Sequence, residues 1–541
     1  MAMPDQSTQL PSHAAISPDT AVKPDYDVAI VGLGPSGAVA AGLLGRAGLK
    51  TLVCDRLEGV YDKPRAIALD HEIMRVFQQM GVVQAVLPHV EPFTPSEFFG
   101  VQGQLIRRMT MVDPPYPQGY TPSMVFTQPP VERALRETIT ALPSVTVALG
   151  TELVALQQDS HRVRLDLRKA DGSLHTASAN YVIGCDGASS TVRNLLGLEL
   201  EDLGFDEPWL VVDVLVNDQG LAKLPATSVQ YCEPERPCTL VIGPNNHRRW
   251  EISLLPGEDP QAAATPERTW QLLSRWLGPQ DGTLWRQASY RFHALVAKQW
   301  QLGRVFIAGD AAHQQPPFLG QGMCQGIRDA ANLAWKLEAV LQGEANGEVR
   351  GGVQSAAAQA LLASYGEERR AHVRELTTRI KGVGTVVSQR DRQKALERDA
   401  RMLADCGGVV KDTPRQDILP ALECGCLSAV VSTARGLLFP QPRVLDASGQ
   451  AVLADEVTGY GWHLFMDGVL PLPPGLVPQL AVVQVGPAGL HELDAVVANW
   501  MQKHQCHAAL VRPDHYTFGV ALDSSALAQL LLEWQRWVPS T

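Results

Sequence analysis

The chain has 541 residues, 45% of them hydrophobic, and a formal net charge of −11 at pH 7. This length suits about three domains with sizeable cores, and the acidic balance, with no basic excess to neutralise phosphates, argues against nucleic acid as a partner. No apolar run approaches the ~20 residues that a membrane helix requires, and the nine cysteines, scattered without zinc-type C-x-x-C pairs, fit a reduced cytoplasmic chain better than a disulfide framework or a metal site.

Residues 1–25 are rich in Ser, Pro, Ala and Thr, show no period and lack the charged and apolar regions of a signal peptide, so a disordered tail is expected. The folded part opens with an apolar strand over 27–31, followed at once by the glycines Gly32, Gly34 and Gly37 and a helix over 38–46. A second strand, 50–54, delivers Asp55. A bare G-x-G-x-x-G is a weak signal; the strand before it, the helix behind it, Ala41 for close packing and the acid after the second strand make it a dinucleotide fingerprint. Gly32 permits the turn, Gly34 admits a pyrophosphate, Gly37 and Ala41 bring helix to sheet, and Asp55 accepts ribose hydroxyls. Ser36 within the turn and Arg56 after the acid join them as cofactor-binding candidates. NAD and FAD share this fingerprint, which does not choose between them.

Gln128 then opens a helix running through Val131, Ala134 and Leu135, and strands at 145–149, 153–157, 163–167 and 179–183 close on a Cys185-Asp186-Gly187 turn before a helix over 190–196. Asp-Gly alone is a common hairpin signal, and Asp186 and Arg193 also fit an internal ion pair. Strands at 210–216, 228–231, 239–243 and 250–255 follow, separated by Pro, Asn and Gly clusters. The run from Asn245 through His247 and Arg248 to Arg249 reads as a hairpin turn.

The most informative stretch is 305–337, VFIAGDAAHQQPPFLGQGMCQGIRDAANLAWKL. An apolar strand ends at Gly309-Asp310; Gly320, Gly322 and Gly326 leave backbone amides bare for a ligand; and apolar spacing from Ile327 onward predicts a helix whose N-terminus is an anion site. Taken singly, these residues equally fit an ordinary strand-loop-helix connection, with Asp310 as a cap and His313 on the surface. Beyond it come a long helix over 356–385, a connector over 396–434, and a terminal unit with strands at 462–466, 480–485, 508–512 and 518–522 and helices at 490–504 and 525–537.

Taken together, GDAAH at 309–313, GQG at 320–322, DAANLAWKL at 329–337 and the D-G-x-x-S-x-x-R of 186–193 resemble the motifs of the class A, single-component FAD-dependent aromatic hydroxylases. Segment 233–256 further resembles the 3-(3-hydroxyphenyl)propionate hydroxylase-like branch, and 511–519 the thioredoxin-like C-terminal domain of many such hydroxylases. The resemblance implies an α/β fold: a Rossmann-like FAD-binding domain of the p-hydroxybenzoate hydroxylase type (26–88, 127–202, 296–350), a β-sheet substrate domain (89–126, 203–295), a helical connector (351–434) and a thioredoxin-like C-terminal domain (435–541). It also implies FAD as cofactor with NADH or NADPH as co-substrate. Asp310, after Gly309, contacts the ribityl or ribose; Pro317, Gly320, Gly322 and Met323 lie along the isoalloxazine; Arg65 stands near the phosphates; and Gln128 and Asp186 touch the flavin. Cys324 stands where the loop commonly carries asparagine, which leaves that position its backbone contacts. The C-terminal domain lacks a C-x-x-C, so dithiol chemistry is unavailable and a structural or dimer-contact role follows.

The expected reaction is NAD(P)H- and O2-dependent hydroxylation of a phenol, ortho to its hydroxyl, through a C4a-hydroperoxide of the flavin; a hydroxyphenylpropionate is one such substrate. His293, Tyr290, Asp70 and His71 are placed to serve as the base that activates the ring, and His247, Arg248 and Arg249 to meet an aromatic carboxylate. A polyketide or antibiotic-type aromatic hydroxylase and a non-oxygenating FAD oxidoreductase remain as alternatives. A halogenase is disfavoured by the absence of W-x-W-x-I-P, and a Baeyer–Villiger architecture by the single fingerprint.

Overall fold

The computed structural model describes residues 23–345, 355–471, 480–486 and 489–538. Most of the expected tail lies outside them, as do 346–350 and 472–479. Asp25, assigned to that tail, is already tied to the fold, its carboxylate accepting from the backbone N–H and hydroxyl of Ser178 at 2.9 and 2.7 Å.

The first sheet is built on four parallel strands, in the order Val305–Ile307, Leu174–Gly184, Tyr26–Val31, Thr51–Cys54, with Val145–Ala148 parallel at the far side. Val28, Ala29 and Ile30 are almost wholly buried, as a central parallel strand covered on both faces requires. Register sets Val31 against Cys54 and Gly184, and Gly184 against Ile307. The four strands therefore end level, and the chain leaves them at Gly32, Asp55, Cys185 and Ala308 along one carboxyl edge, where open α/β sheets bind their ligands. Helices Pro35–Arg46 and Gly322–Ala345 pack behind that edge at backbone distance: a Cβ on Gly37 would lie 2.0 Å from the Gly32 carbonyl oxygen, and one on Gly326 2.3 Å from Ser36 Oγ.

The second sheet has nine strands, ordered His313–Gln314, Gly282–Ala297, Leu200–Val216, His247–Ser253, Cys238–Ile242, Ser228–Tyr231, Ser96–Phe99, Leu105–Thr110, Asp412–Pro414. Alternation divides it cleanly. Leu210, Val212, Leu240, Trp250 and Ile252 pack one face into a core of their own; Val211, Glu251, Thr239 and Gln230, paired in register across four strands, lie on the other. This second face roofs the carboxyl edge of the first sheet. His247 begins a strand and is buried, which corrects its reading as part of a turn; the reversal occupies Pro244–Asn246, where Asn245 takes a positive φ of 53°.

Helix Ala356–Val387 runs beside Gly322–Ala345, and the C-terminal unit is a four-stranded sheet, Leu480–Gln484, Trp462–Met466, Ala508–Val511, Thr517–Ala521, with helices Val496–Lys503 and Ser524–Gln535. Among the described residues no helix is long and apolar enough to cross a membrane.

Candidate active site

Between the carboxyl edge and the roof lies a cavity of about 480 Å3, within the range of sites for small ligands. Its lower wall fits a dinucleotide. The helix Pro35–Arg46 begins at Gly34 with no side-chain cap, leaving its first amides for an anion. Cβ atoms built on Gly34, Gly187 and Gly322 would meet nothing within 4 Å, so these three of the four cavity-lining glycines face open space. Asp310 lines the cavity too, and no hydrogen-bond donor reaches its carboxylate among the described residues. Its side chain opens on the cavity, and the packing of the chain around it, aided by Asp329, raises that carboxyl above the ordinary range against the pull of His313 and Arg65. Both amide atoms of Gln315, another lining residue, are buried without a protein partner. Bare amides, open glycines and an acceptor awaiting hydroxyl donors are what FAD needs.

Asp329, from the DAANLAWKL run, locks this wall. Fully buried, it accepts from the Gly309 N–H at 2.9 Å, His313 Nε2 at 2.8 Å and Arg369 Nε at 2.8 Å. Burial alone would raise its pKa; His313 and Arg369 overcome that and hold it down. Arg193 donates to the carbonyls of Ala188 and Ala311, joining the Asp-Gly motif to GDAAH. Asp186 itself accepts from Ser190 Oγ and the Val192 N–H, so its side chain shapes the turn while Cys185, Gly187 and Ala188 line the cavity.

The other predicted residues divide as follows. Gln128 lines the cavity and fixes the neighbouring loop, its Oε1 accepting from the Arg65 and Ala66 N–H groups at 2.8 and 2.6 Å. Ser36, Arg65, Pro317, Gly320 and Met323 also border it. Asp55 ends its strand as expected, but its carboxylate accepts from the N–H groups of Leu33 and Leu57, and Arg56 is exposed. The Cys324 thiol is buried and points to the Ala68 carbonyl oxygen at 3.9 Å, away from the cavity.

Of the four base candidates, Tyr290 and His293 line the cavity, both partly exposed, with His293 Nδ1 3.4 Å from Asp206. Asp70 and His71 do not border it. Asp70 caps the helix His71–Gln79 and accepts from Arg328 Nη2 at 2.6 Å, and His71 is pushed down to about 4 by burial. His247 likewise stands off the cavity, its Nε2 donating to Asp213 Oδ1 over 2.8 Å, and burial lowers its pKa. Arg249 lines the cavity with its fork already engaged, by Asp213 at 2.7 and 3.2 Å and by the carbonyls of Arg65 and Pro64. Three lining residues that the sequence reading passed over are Glu251, Arg286 and Arg415. Glu251 had a legible signal: on a strand it must share the face of Arg249 two residues before it.

Comparison with known proteins agrees with this site. The family described as FAD binding domain matches residues 25–380, and the HcaD C-terminal domain matches 436–533. The chain is 36% identical, over 96% of both chains, to a probable NADH-specific resorcinol 4-hydroxylase of Rhodococcus jostii. It is 31% identical, over 95% of this chain and 96% of the other, to a 3-(3-hydroxy-phenyl)propionate/3-hydroxycinnamic acid hydroxylase of Burkholderia vietnamiensis. In fold it resembles aklavinone-11 hydroxylase, solved with FAD and aklavinone, at a TM-score of 0.76 and 22% identity, over 96% of this chain and 100% of that one. The chain belongs to the FAD binding domain family and is an FAD-dependent aromatic hydroxylase of the branch anticipated from its motifs.

Proposed function

We propose that the enzyme hydroxylates a small, single-ring phenol at a carbon ortho to its hydroxyl, with NADH or NADPH as electron donor and O2 as oxygen source. The observation that carries this reading is that one cavity is shared by the glycine-lined cofactor wall and a polar row on the roof, Glu251, Thr239 and Gln230. A ring held against that row lies in the same cavity as the cofactor. FAD, reduced by the nicotinamide, supplies the activated oxygen; the protein binds the ring, orients it and handles its proton. The names of the two relatives, resorcinol and hydroxyphenylpropionate hydroxylases, support a phenol of this size. Nine unbonded cysteines are in keeping with a reducing, cytoplasmic setting.

One residue favours an aromatic acid among such phenols. Arg415 lines the cavity, stacks 4.2 Å above the Phe93 ring and donates to Ser96 Oγ and the Leu319 carbonyl, both at 3.0 Å. It has no carboxylate partner among the described residues, and burial lowers it to about 10. A substrate carboxylate would complete that charge.

The test is nicotinamide oxidation and O2 uptake by the FAD-loaded enzyme with resorcinol and with 3-(3-hydroxyphenyl)propionate. At least one phenol is expected to accelerate both sharply and to yield a catechol-type product. Oxidation of phenols without nicotinamide, or no response to any phenol, would overturn the reading. Arg415→Met raising KM for the acid while leaving that for resorcinol unchanged would establish the aromatic acid.

A further inference from the structure

The geometry points to Glu251 as the catalytic base, the group that takes the proton of the phenol hydroxyl. Glu251 sits on His247–Ser253, paired with Val211 on one side and Thr239 on the other, and its side chain lines the cavity. Only 5% of its surface is accessible, yet among the described residues no donor reaches its carboxylate. A buried carboxylate without a donor is costly to keep, and a phenol hydroxyl entering the cavity supplies the missing partner. Beside it, Thr239 Oγ1 donates to Gln230 Oε1 at 2.6 Å, which fixes that amide. The competing groups are less suited: His293 is half-exposed and held toward Asp206, and Asp310 belongs to the cofactor wall.

The charges around Glu251 agree with the role. Burial raises its pKa to about 7, with Asp213 adding to the rise and Arg249 opposing it. Arg286 and Arg415 face the same cavity from neighbouring roof elements, and Arg65 and Asp310 from the wall below. A base with that affinity is divided between its ionised and protonated forms near neutral pH, the balance that general-base catalysis favours.

This assignment rests on the phenol reading above. In the step, the substrate O–H bond breaks and its proton bonds to a Glu251 oxygen. The electron pair left on the phenolic oxygen enriches the ortho carbon, which forms its new C–O bond with one atom of O2. The second oxygen atom leaves as water, taking the two electrons and the hydrogen of the nicotinamide's hydride together with one proton from solvent. The ring C–H proton passes by way of solvent to the newly bound oxygen, which restores aromaticity, and Glu251 returns its own proton to the phenolic oxygen.

The experiment uses FAD-loaded enzyme with resorcinol as probe. In the wild type, hydroxylation is expected to rise as pH increases through about 7, because the base must be ionised. Glu251→Gln is expected to keep its FAD and, by perturbation of the flavin absorbance, to bind resorcinol within about threefold of wild type. Its product yield should fall roughly a hundredfold, with nicotinamide electrons diverted to H2O2 and the ionisation near pH 7 gone. Fluorinated phenols already ionised at the assay pH need no base and should recover product in the variant. Wild-type coupling and an unchanged pH profile in Glu251→Gln would overturn the assignment, as would an equal defect with ionised phenols. If the variant is recovered without FAD, absence of an ionisation near pH 7 in the wild type overturns it. A wild type that hydroxylates no phenol overturns the substrate reading first and this assignment with it.

Discussion

Asp310 shows how one side chain divides the labour of the cofactor wall. Its neighbours Gly309, Ala311 and His313 are held by Asp329, Arg193 and the turn itself, whereas its own carboxylate is left facing the cavity. Hydrogen bonds to a charged group contribute roughly 1.5–3 kcal/mol, so Asp310→Ala should weaken FAD binding by about 10- to 150-fold, read as flavin lost on ultrafiltration. Gly34→Val should be worse, because its side chain would fill space that is open at the uncapped helix N-terminus; a fully yellow Gly34→Val protein would refute the pyrophosphate assignment. Both residues were legible because their chemistry is local: glycine spacing, a strand before and a helix behind. Glu251 offered only its strand phase with Arg249, since the rest of its meaning comes from register across four strands. Asp70 and His247 misled for the converse reason, being polar residues near motifs whose partners, Arg328 and Asp213, lie far away in the chain.

At the scale of elements, the loop through Pro64, Arg65 and Ala66 is gripped from both sides. Gln128 accepts from two of its N–H groups, and Arg249 and Arg286 donate from the roof to its carbonyls. Arg249 thereby couples the two sheets, while Asp213, fully buried, is kept ionised by Arg249 and His247 against the effect of burial. Arg249→Met should cost about 3–5 kcal/mol, because it strands a buried carboxylate; thermal unfolding would register it, and Arg249→Lys should rescue little, lacking the planar fork. A loss below about 1 kcal/mol would show that the coupling is dispensable. Element boundaries were less legible than element types. The helix predicted from Ile327 begins at Gly322, since glycines tolerated in a loop are equally tolerated where two helices touch. The helix expected from Leu490 begins only at Val496, where Glu492 accepts from the N–H groups of Val497 and Ala498 and caps it from outside.

Across the whole molecule, the C-terminal unit backs the flavin loop through buried charge. Arg75, 2% exposed, makes two bonds to Asp455 at 2.7 and 2.8 Å and one to the Phe439 carbonyl. Tyr516 donates to Glu72, which accepts from Arg328, which also holds Asp70 and Gln321 at the start of the flavin loop. Arg512 and Lys336 both meet Glu368, and Asn332 donates to Asp514. None of this was visible in the sequence, where 435–541 read as a separate domain, because arginines and acids on opposite sides of a linker carry no local pattern. The arrangement predicts that the C-terminal unit is not detachable. A chain ending at residue 434 would take Asp455 from Arg75 and Arg512 from Glu368, both almost fully buried, and breaking a buried pair by removing one partner costs about 3–5 kcal/mol. Two or three such losses match the entire stability of an ordinary domain, roughly 5–15 kcal/mol. The truncated chain is therefore expected to be insoluble or free of flavin. A soluble, yellow 1–434 fragment with the wild-type FAD content would show instead that the exposed charges are rehydrated at little cost and that the flavin loop holds its shape unaided.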